Sequence, residues 1–238
     1  MEKSKKLREL LLDNIDFFKY SGGAGTTPPG PDTEFFAFDH LGKAEQLLVS
    51  FTDARAEPLI ECAAEISFAV DCQLDTFLYA GNLLETVAKH GFKLKDKLEF
   101  IHSVGVFDYR LLQRLTSYRD RIEKEIQNPK IEDIEIYFDI ATVFVSTLQS
   151  AIIALLSREV SFQTYLYHDF ESTLTSTYDK EEIKVEFTWF DSDHSKQTLA
   201  ATFAEMNVFC YFLKSHILLN QKTFNNLEYI KRKLSIVS

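Results

Sequence analysis

The sequence predicts a mainly α protein, in which a helical bundle is followed by an antiparallel β-hairpin and C-terminal helices. Turn-forming residues are scarce, because the 238 residues include only 8 Gly and 5 Pro, about half the usual share. Apolar residues recur at helical spacing over much of the first 158 positions, and they alternate strictly with polar residues around position 186. Long helices and one small β region follow from these patterns.

The chain is expected to divide into four segments. Residues 1–20 carry apolar residues at helical spacing and predict a short N-terminal helix. Most of the glycines and prolines then fall in residues 21–33, which predict a flexible linker. Its GGAG lacks the Gly-Lys-Ser/Thr continuation of a phosphate-binding loop. The helical bundle occupies 34–158, and the hairpin with its following helices, residues 159–238, packs on it.

The ends of several bundle helices are marked by single residues. Pro58 suits a first helical turn, Gly91 suits a C-terminal cap, and Asn128-Pro129 breaks the chain. The helices are predicted over 34–51, 58–90, 94–103, 107–127 and 131–158. The last of them contains a charge-free stretch, Ile140 to Ser157, of 18 residues. Its polar residues gather on one face, which favours a core helix over a membrane span.

The pattern changes to that of β-strands at Val160. Apolar residues occupy even positions from Val160 to Phe170, and odd positions from Ile183 to Trp189. The Tyr178-Asp179-Lys180 segment between them predicts a turn that depends on Asp. Helices are predicted over 196–219 and 222–235. The aromatic residues of the hairpin are expected either to pack on the bundle or to leave an apolar patch for a second copy or a protein partner; they are Tyr165, Tyr167, Trp189 and Phe190.

Charge and cysteine content narrow the classes of protein. The 26 basic and 36 acidic residues give a net charge of -10, which argues against a general binder of nucleic acid or anionic membranes, although a local basic patch is compatible with it. The odd number of cysteines, Cys62, Cys72 and Cys210, includes no CxxC pair, so neither a disulfide framework nor a zinc site is expected. We expect a cytoplasmic protein with no membrane partner.

One segment of the predicted bundle resembles a known family. Tyr118-Arg119-Asp120-Arg121-Ile122-Glu123-Lys124-Glu125 lies near the end of one helix, Pro129 follows in a break, and a closing helix comes next. This arrangement is similar to that of HEPN domains (higher eukaryote and prokaryote nucleotide-binding), helical bundles with an Arg, a polar residue, three more residues and a His in this place. The resemblance implies an HEPN-like bundle, a homodimer, and an RNA or nucleotide partner.

The resemblance also carries two departures from the family pattern. Asp120 stands where the family usually has Asn, and Lys124 stands where it has His. In nuclease members, the His is a general acid or base and the Arg stabilises charge on the phosphate, without a metal. A lysine ammonium stays protonated at neutral pH unless it is buried. The sequence therefore predicts a non-catalytic, dimeric binding or regulatory protein.

Two alternatives remain beside this prediction. In the first, metal-independent ribonuclease activity persists, with Arg119 stabilising charge and either His102 or Lys124 as a substitute base. In the second, the bundle resemblance is coincidental and the C-terminal hairpin recruits a protein partner.

The helical wheel of this segment separates two sets of basic residues. At about 100° per residue, Arg110, Arg114, Arg121 and Lys124 fall within an arc of about 80°, which is either a nucleic-acid-binding face or simply a solvated one. Arg119 lies opposite them, beside the apolar face. It is expected to pair with Glu123 or with a carboxylate of the 58–90 helix, namely Glu61, Glu65, Asp71 or Asp75.

No metal or cofactor site is predicted. Glu99 and His102 form one ExxH, but a di-iron bundle needs two such motifs and further carboxylates. Asp191, Asp193 and His194 are better explained as helix-capping residues. The remaining histidines are expected to be surface residues or hydrogen-bonded core residues.

Overall fold

Helices make up most of the structure. The computed structural model describes residues 2–25, 36–51, 56–124, 130–166, 170–190 and 195–236. The helices are α1 (Glu2–Asn14), α2 (Ala37–Val49), α3 (Ala56–Ala80), α4 (Leu84–Lys89), α5 (Leu94–Ser103), α6 (Tyr109–Lys124), α7 (Ile131–Leu156), α8 (Met206–Asn220) and α9 (Leu227–Ser235). The prediction of a mainly α protein is confirmed. The predicted break at Asn128-Pro129 lies outside the described residues.

Four of these helices form a bundle. The α3 helix packs between α2 and α7, and α6 covers α7. Residues Ile66, Val70 and Leu74 of α3 are buried at the spacing of one helical face. Polar contacts also join the two longest helices: the Ser67 hydroxyl lies 3.1 Å from that of Tyr137. The bundle is therefore centred on the pair of α3 and α7.

The predicted helix over 58–90 is two helices. The α3 helix ends at Ala80, and Asn82 adopts a positive φ of 53° before α4 begins. The Asn82 side chain donates a 2.8 Å hydrogen bond to the Lys180 carbonyl, so a tertiary contact holds the break. The predicted cap at Gly91 is confirmed, since its φ is 69° and the next amide returns to the Val87 carbonyl at 3.0 Å.

The β region is a sheet rather than a hairpin. Five antiparallel strands follow one another in the order β1-β2-β3-β4-β5. They are β1 (Lys19–Gly25), β2 (Ser157–Leu166), β3 (Phe170–Asp179), β4 (Lys184–Phe190) and β5 (Lys196–Thr202). The predicted hairpin corresponds to β2, β3 and β4, and the two edge strands were not predicted.

The first edge strand corrects the predicted linker over 21–33. Residues up to Gly25 pair with β2 as an irregular strand, and residues 26–33 lie outside the described part of the chain. The glycines permit a close approach of the two backbones: a Cβ on Gly23 would lie 2.8 Å from the Glu159 carbonyl oxygen. Residues 21–25 of the predicted linker therefore form part of the edge strand.

The second edge strand corrects the predicted helix over 196–219. Residues Lys196–Thr202 pair along the whole length of β4, and the helix, α8, begins only at Met206. Leu199 and Ala201 lie opposite Phe187 and Val185 of β4. Pairing and burial at these positions outweigh the local helix propensity of Leu199-Ala200-Ala201.

The turn between β3 and β4 agrees with its prediction. Asp179 Oδ1 accepts hydrogen bonds from the amides of Glu181 (2.9 Å) and Glu182 (3.1 Å). Ile183 then adopts a φ of 48°. The Asp179 side chain thus stabilises a hairpin turn at which many proteins have a glycine.

Helix α8 joins the sheet to the helices. Every residue from Phe209 to Leu219 is buried. The Phe212 ring packs edge-on against Phe187 of β4, with ring centroids 5.6 Å apart. The N-terminal helix packs against α8 and α9, and Lys231 of α9 pairs with Asp16 at 2.7 Å. The first 25 residues therefore belong to the C-terminal layer.

One helix has the length and composition of a membrane span. The most apolar 18-residue stretch of Ile131–Leu156 has a mean hydropathy of 1.8, and half of it is buried inside the protein. Phe144, Leu148 and Leu155 are completely buried. This burial agrees with the prediction of a core helix.

A polar cluster lies in the core where α8 meets the sheet. His216 is completely buried; its Nδ1 lies 2.8 Å from the Ser176 hydroxyl and its Nε2 lies 3.0 Å from the Ser157 carbonyl oxygen. The Ser157 carbonyl can only accept, so Nε2 carries the proton and Nδ1 accepts from Ser176, while the Asn220 amide nitrogen, 3.2 Å from Nε2, donates to the His216 carbonyl at 3.0 Å. Burial lowers the pKa of His216 to about 4, because the charged ring would lose its hydration.

The pH dependence of unfolding tests this arrangement. The unfolded chain binds a proton at His216 below its ordinary pKa of 6.5, whereas the folded chain resists protonation until about 4. The free energy of unfolding is therefore unaffected by this residue above pH 6.5. Protonation of His216 in the unfolded chain lowers that free energy by about 3 kcal/mol at pH 4. Urea unfolding across this range should show a steeper loss for the wild type than for His216→Gln. Equal slopes for the two proteins would contradict the buried neutral histidine.

Candidate functional site

The candidate site lies along α6. Leu112, Leu115 and Ile122 are buried on one side of this helix, at the spacing that makes a helix amphipathic. The helix begins beside Asp108, whose carboxylate accepts a 2.9 Å hydrogen bond from the Arg110 amide. It then runs without interruption to Lys124. Burial of the apolar side against the bundle fixes which side chains face outward.

The outward side of α6 carries the predicted basic residues. Arg110, Arg114, Arg121 and Lys124 are all exposed. A shallow groove of about 550 Å³ runs beside the last two of these residues, and its other walls are polar side chains: Gln113, Thr116, Ser117 and Asp120. The structure therefore brings the four predicted nucleic-acid-binding residues onto one face.

Only part of this basic face is free to bind a ligand. Arg121 is held by Asp133 of α7 at 2.9 Å, and its guanidinium lies 4.5 Å from the centre of the Tyr118 ring. Within the described residues, the side chains of Arg110, Arg114 and Lys124 have no ion-pair partner. These three residues are called the α6 basic face below.

Arg119 lies on the other side of α6 and forms an ion pair there. Its two terminal nitrogens donate to the two carboxylate oxygens of Asp71 on α3, at 2.9 and 3.2 Å. The arginine side chain is 21% exposed and the aspartate 42%. This fork-to-fork geometry is the strong form of an arginine–carboxylate pair. The predicted pairing with a carboxylate of the second bundle helix is confirmed, with Asp71 as the partner.

The other candidate base is remote from Arg119. His102 lies at the end of α5, where Nδ1 is 3.3 Å from the Phe107 carbonyl oxygen and the ring centre is 5.3 Å from that of Tyr109. Tyr109 and Arg119 are ten residues apart on one helix, which corresponds to about 15 Å along its axis. Within one chain, Arg119, His102 and Lys124 do not converge on a common point.

Metal ligation finds no support in the described residues. No group of three or more His, Cys, Asp or Glu side chains lies close enough together to hold an ion there. His40 instead bonds to Glu65 at 2.6 Å, and His90 lies 2.8 Å from the Thr86 carbonyl oxygen. Asp191, Asp193, His194 and His168 lie outside the described residues.

The predicted aromatic patch of the hairpin is only partly present. Trp189 is buried at 6% exposure, which agrees with the packing alternative, whereas Phe190 stays 39% exposed. Lys6 of α1 lies 5.9 Å from the centre of the Trp189 ring, because the N-terminal helix packs beside the sheet. The Tyr165 side chain and Tyr167 lie outside the described positions.

A second groove was not predicted from the sequence. It has a volume of about 640 Å³ and lies between the α5–α6 turn, the exposed side of α7, and the ends of α8 and α9. Lys214 lines it and donates a 2.7 Å hydrogen bond to the Ile236 carbonyl. Burial and the nearby Lys233 lower the pKa of Lys214 to about 8. Lys214 lies within a run of apolar residues in α8, so its position along the helix does not distinguish it from a core residue. The sequence pattern therefore did not indicate this groove.

Comparison of the chain with protein-family models, with curated proteins and with solved structures finds no match. The resemblance to HEPN domains therefore rests on the residues of α6 and its neighbours alone.

A double-mutant cycle tests the structural role of Arg119. Arg119→Ala and Asp71→Ala should each lower the free energy of unfolding, and the coupling between them should be about 1 kcal/mol, because the pair is partly exposed. Urea denaturation of the two single variants and the double variant gives this value. Additive losses would mean that the guanidinium is available for another role.

Proposed function

We propose that the protein is a non-catalytic, HEPN-like binding protein, which acts as a homodimer and holds an anionic partner such as an RNA backbone on the α6 basic face. The observation that carries the proposal is the bidentate pair of Arg119 with Asp71. This ion pair occupies Arg119, the arginine that the resemblance assigns to catalysis. The arginines on the opposite face of α6 remain exposed.

The surroundings of two of the three candidate catalytic residues, Arg119 and Lys124, support the absence of catalysis. A guanidinium that stabilises charge on a phosphate has to offer two N–H groups to the phosphate oxygens. Those of Arg119 already bind Asp71. Lys124 is exposed, so the burial that a lysine base needs is missing.

The α6 basic face supports the binding of an anion. Arg110, Arg114 and Lys124 project from one rigid helix, and Gln113 and Ser117 on the same side offer hydrogen-bond donors. The remaining surface of a chain with net charge -10 repels a polyanion, which limits binding to this face. With three phosphate contacts, a plot of the logarithm of the binding constant for single-stranded RNA against the logarithm of the salt concentration should have a slope of about −2.

The exposed side of α7 supports a homodimer. Val143 and Ile153 are 51% and 62% exposed, and Phe224 beside the same groove is 91% exposed. Charged residues are absent from Ile140 to Ser157, so this side of the helix has no charge that would oppose burial. An uncharged face with large apolar side chains is typical of an interface.

Binding of a fluorescent single-stranded RNA oligonucleotide tests the basic face. The triple variant Arg110→Gln, Arg114→Gln, Lys124→Gln should bind more weakly and with a flatter salt dependence than the wild type. Fluorescence anisotropy at several salt concentrations measures both effects. A matched control removes the same charge elsewhere, at exposed lysines of α1, α4 and α5: Lys5→Gln, Lys89→Gln and Lys95→Gln.

Two outcomes of this experiment would contradict the proposal. Equal weakening by both triple variants would mean that overall charge, and not the α6 basic face, determines binding. Cleavage of the RNA in the presence of a chelator, abolished by Arg119→Ala, would replace the proposal with the ribonuclease alternative.

Sedimentation velocity tests the homodimer. The wild type should sediment as a dimer, and the double variant Ile153→Glu, Phe224→Ser should sediment as a monomer, because the glutamate places a charge in the interface. Val49→Glu is the control, since Val49 at the end of α2 is 81% exposed and does not line the groove. A monomeric wild type at all concentrations would refute the dimer.

A further inference from the structure

A buried lysine at the β3–β4 turn has no partner for its charge. Lys180 is only 9% exposed. Its Nζ is inaccessible to solvent and makes no hydrogen bond to the described residues. An ammonium in this state loses its hydration without compensation. Such a group is expected to have a binding partner beyond the described residues.

The surrounding structure holds Lys180 in place. Its carbonyl accepts the hydrogen bond from Asn82, and the preceding Asp179 is fixed by the two amides of the turn. Tyr178, two residues earlier, is 1% exposed and donates a 2.6 Å hydrogen bond to the Gly81 carbonyl. These contacts with the α3–α4 break fix the backbone from which the lysine side chain extends.

A second cation lies beside this lysine. Glu159 of β2 pairs with Thr177 of β3, so Arg158 comes next to Tyr178 and near Lys180. Arg158 has no ion pair within the described residues. Burial and the charge of Arg158 both lower the pKa of Lys180, and no carboxylate opposes this shift. Two positive charges are therefore held together on one side of the sheet.

Both cations line one pocket of about 390 Å³, together with Tyr178. Its carboxylates are those of Asp179, Glu181 and Glu186, and none forms an ion pair with Lys180 or Arg158. One carboxylate oxygen of Asp179 accepts both turn amides, and Lys184 is paired with Glu182 at 2.6 Å. Within the described residues, Lys180 and Arg158 are thus the cations of this pocket that have no ion-pair partner.

We infer that this pocket binds a phosphate group, either as inorganic phosphate or on a small phosphomonoester. A guanidinium offers two parallel N–H groups to phosphate oxygens, and an ammonium adds a compact point charge. The volume is at the lower end of the range for small-molecule sites, which leaves space for a small group attached to the phosphate. This site shares no residue with the α6 basic face.

Thermal unfolding and calorimetric titration with inorganic phosphate test the inference, at constant ionic strength and with chloride as the reference anion. Phosphate should raise the unfolding temperature of the wild type, because it binds only the folded chain. Lys180→Met and Arg158→Gln should each weaken binding at least tenfold. Lys184→Gln should bind like the wild type, since it removes a partly buried lysine of the same pocket that is already paired with Glu182.

Glycerol phosphate, titrated in parallel, separates the two forms of the ligand. Tighter binding than inorganic phosphate supports a phosphomonoester, and equal binding supports the free ion. The absence of a phosphate effect on the wild type, or an equal effect on all three variants, would overturn the site. Circular dichroism establishes that each variant is folded, so a loss of binding is distinguished from unfolding. RNA binding by the α6 basic face is expected to be unchanged in Lys180→Met.

Discussion

The fold depends on covering one helix on every side. Phe209 to Leu219 of α8 are buried all around the helix, so no single layer can shield it from water. The sheet covers one side, and α1, α5, α7 and α9 cover the rest. This requirement explains why the first and last helices of the chain meet, and why the first edge strand joins a sheet whose other strands come much later in the sequence.

Burial of α8 also dictates its polar contacts. Three consecutive polar residues, Lys214, Ser215 and His216, lie in this buried stretch, and each one needs a hydrogen-bond partner. Lys214 finds the Ile236 carbonyl, Ser215 the Tyr211 carbonyl, and His216 the Ser157 carbonyl. These partners come from the end of the chain, from α8 itself and from the first residue of β2. The polar residues of α8 thereby fix how its covering layers are placed.

The parts of the fold that could be predicted are those with a periodic side-chain pattern. The bundle helices α5 and α7 and the strand β4 show periods near 3.6 or 2, and all three were predicted close to their observed bounds. Strand β1 has three glycines among its seven residues and no alternation of apolar and polar side chains, and β5 contains the helix-favouring Leu199-Ala200-Ala201. Helix α8 is apolar on all sides, so its start could not be located by period.

The candidate site likewise has parts that could be predicted from the sequence and parts that could not. The α6 basic face follows from spacing along one helix, and so does the position of Arg119 on the opposite side. The choice of Asp71 over Asp75 depends on how α3 crosses α6, because both carboxylates lie one turn apart on the same helix face. The proximity of Arg158 to Lys180 depends on the register of β2 and β3. Both arrangements are set by tertiary packing, for which a single sequence gives no direct signal.

The arginines of α6 combine structural ion pairs with the proposed binding face. Arg119 on the inward side pairs with Asp71 of α3, and Arg121 on the outward side pairs with Asp133 of α7. Arg110 and Arg114 face solvent. Because the two ion pairs hold α6 against the bundle, the side chains of Arg110 and Arg114 extend from a fixed backbone. A polyanion that binds them then loses less conformational entropy than it would on a mobile loop. The pair of Arg119 with Asp71 occupies the guanidinium that the ribonuclease alternative requires, so this pair is compatible with the proposed binding role and competes with the ribonuclease alternative.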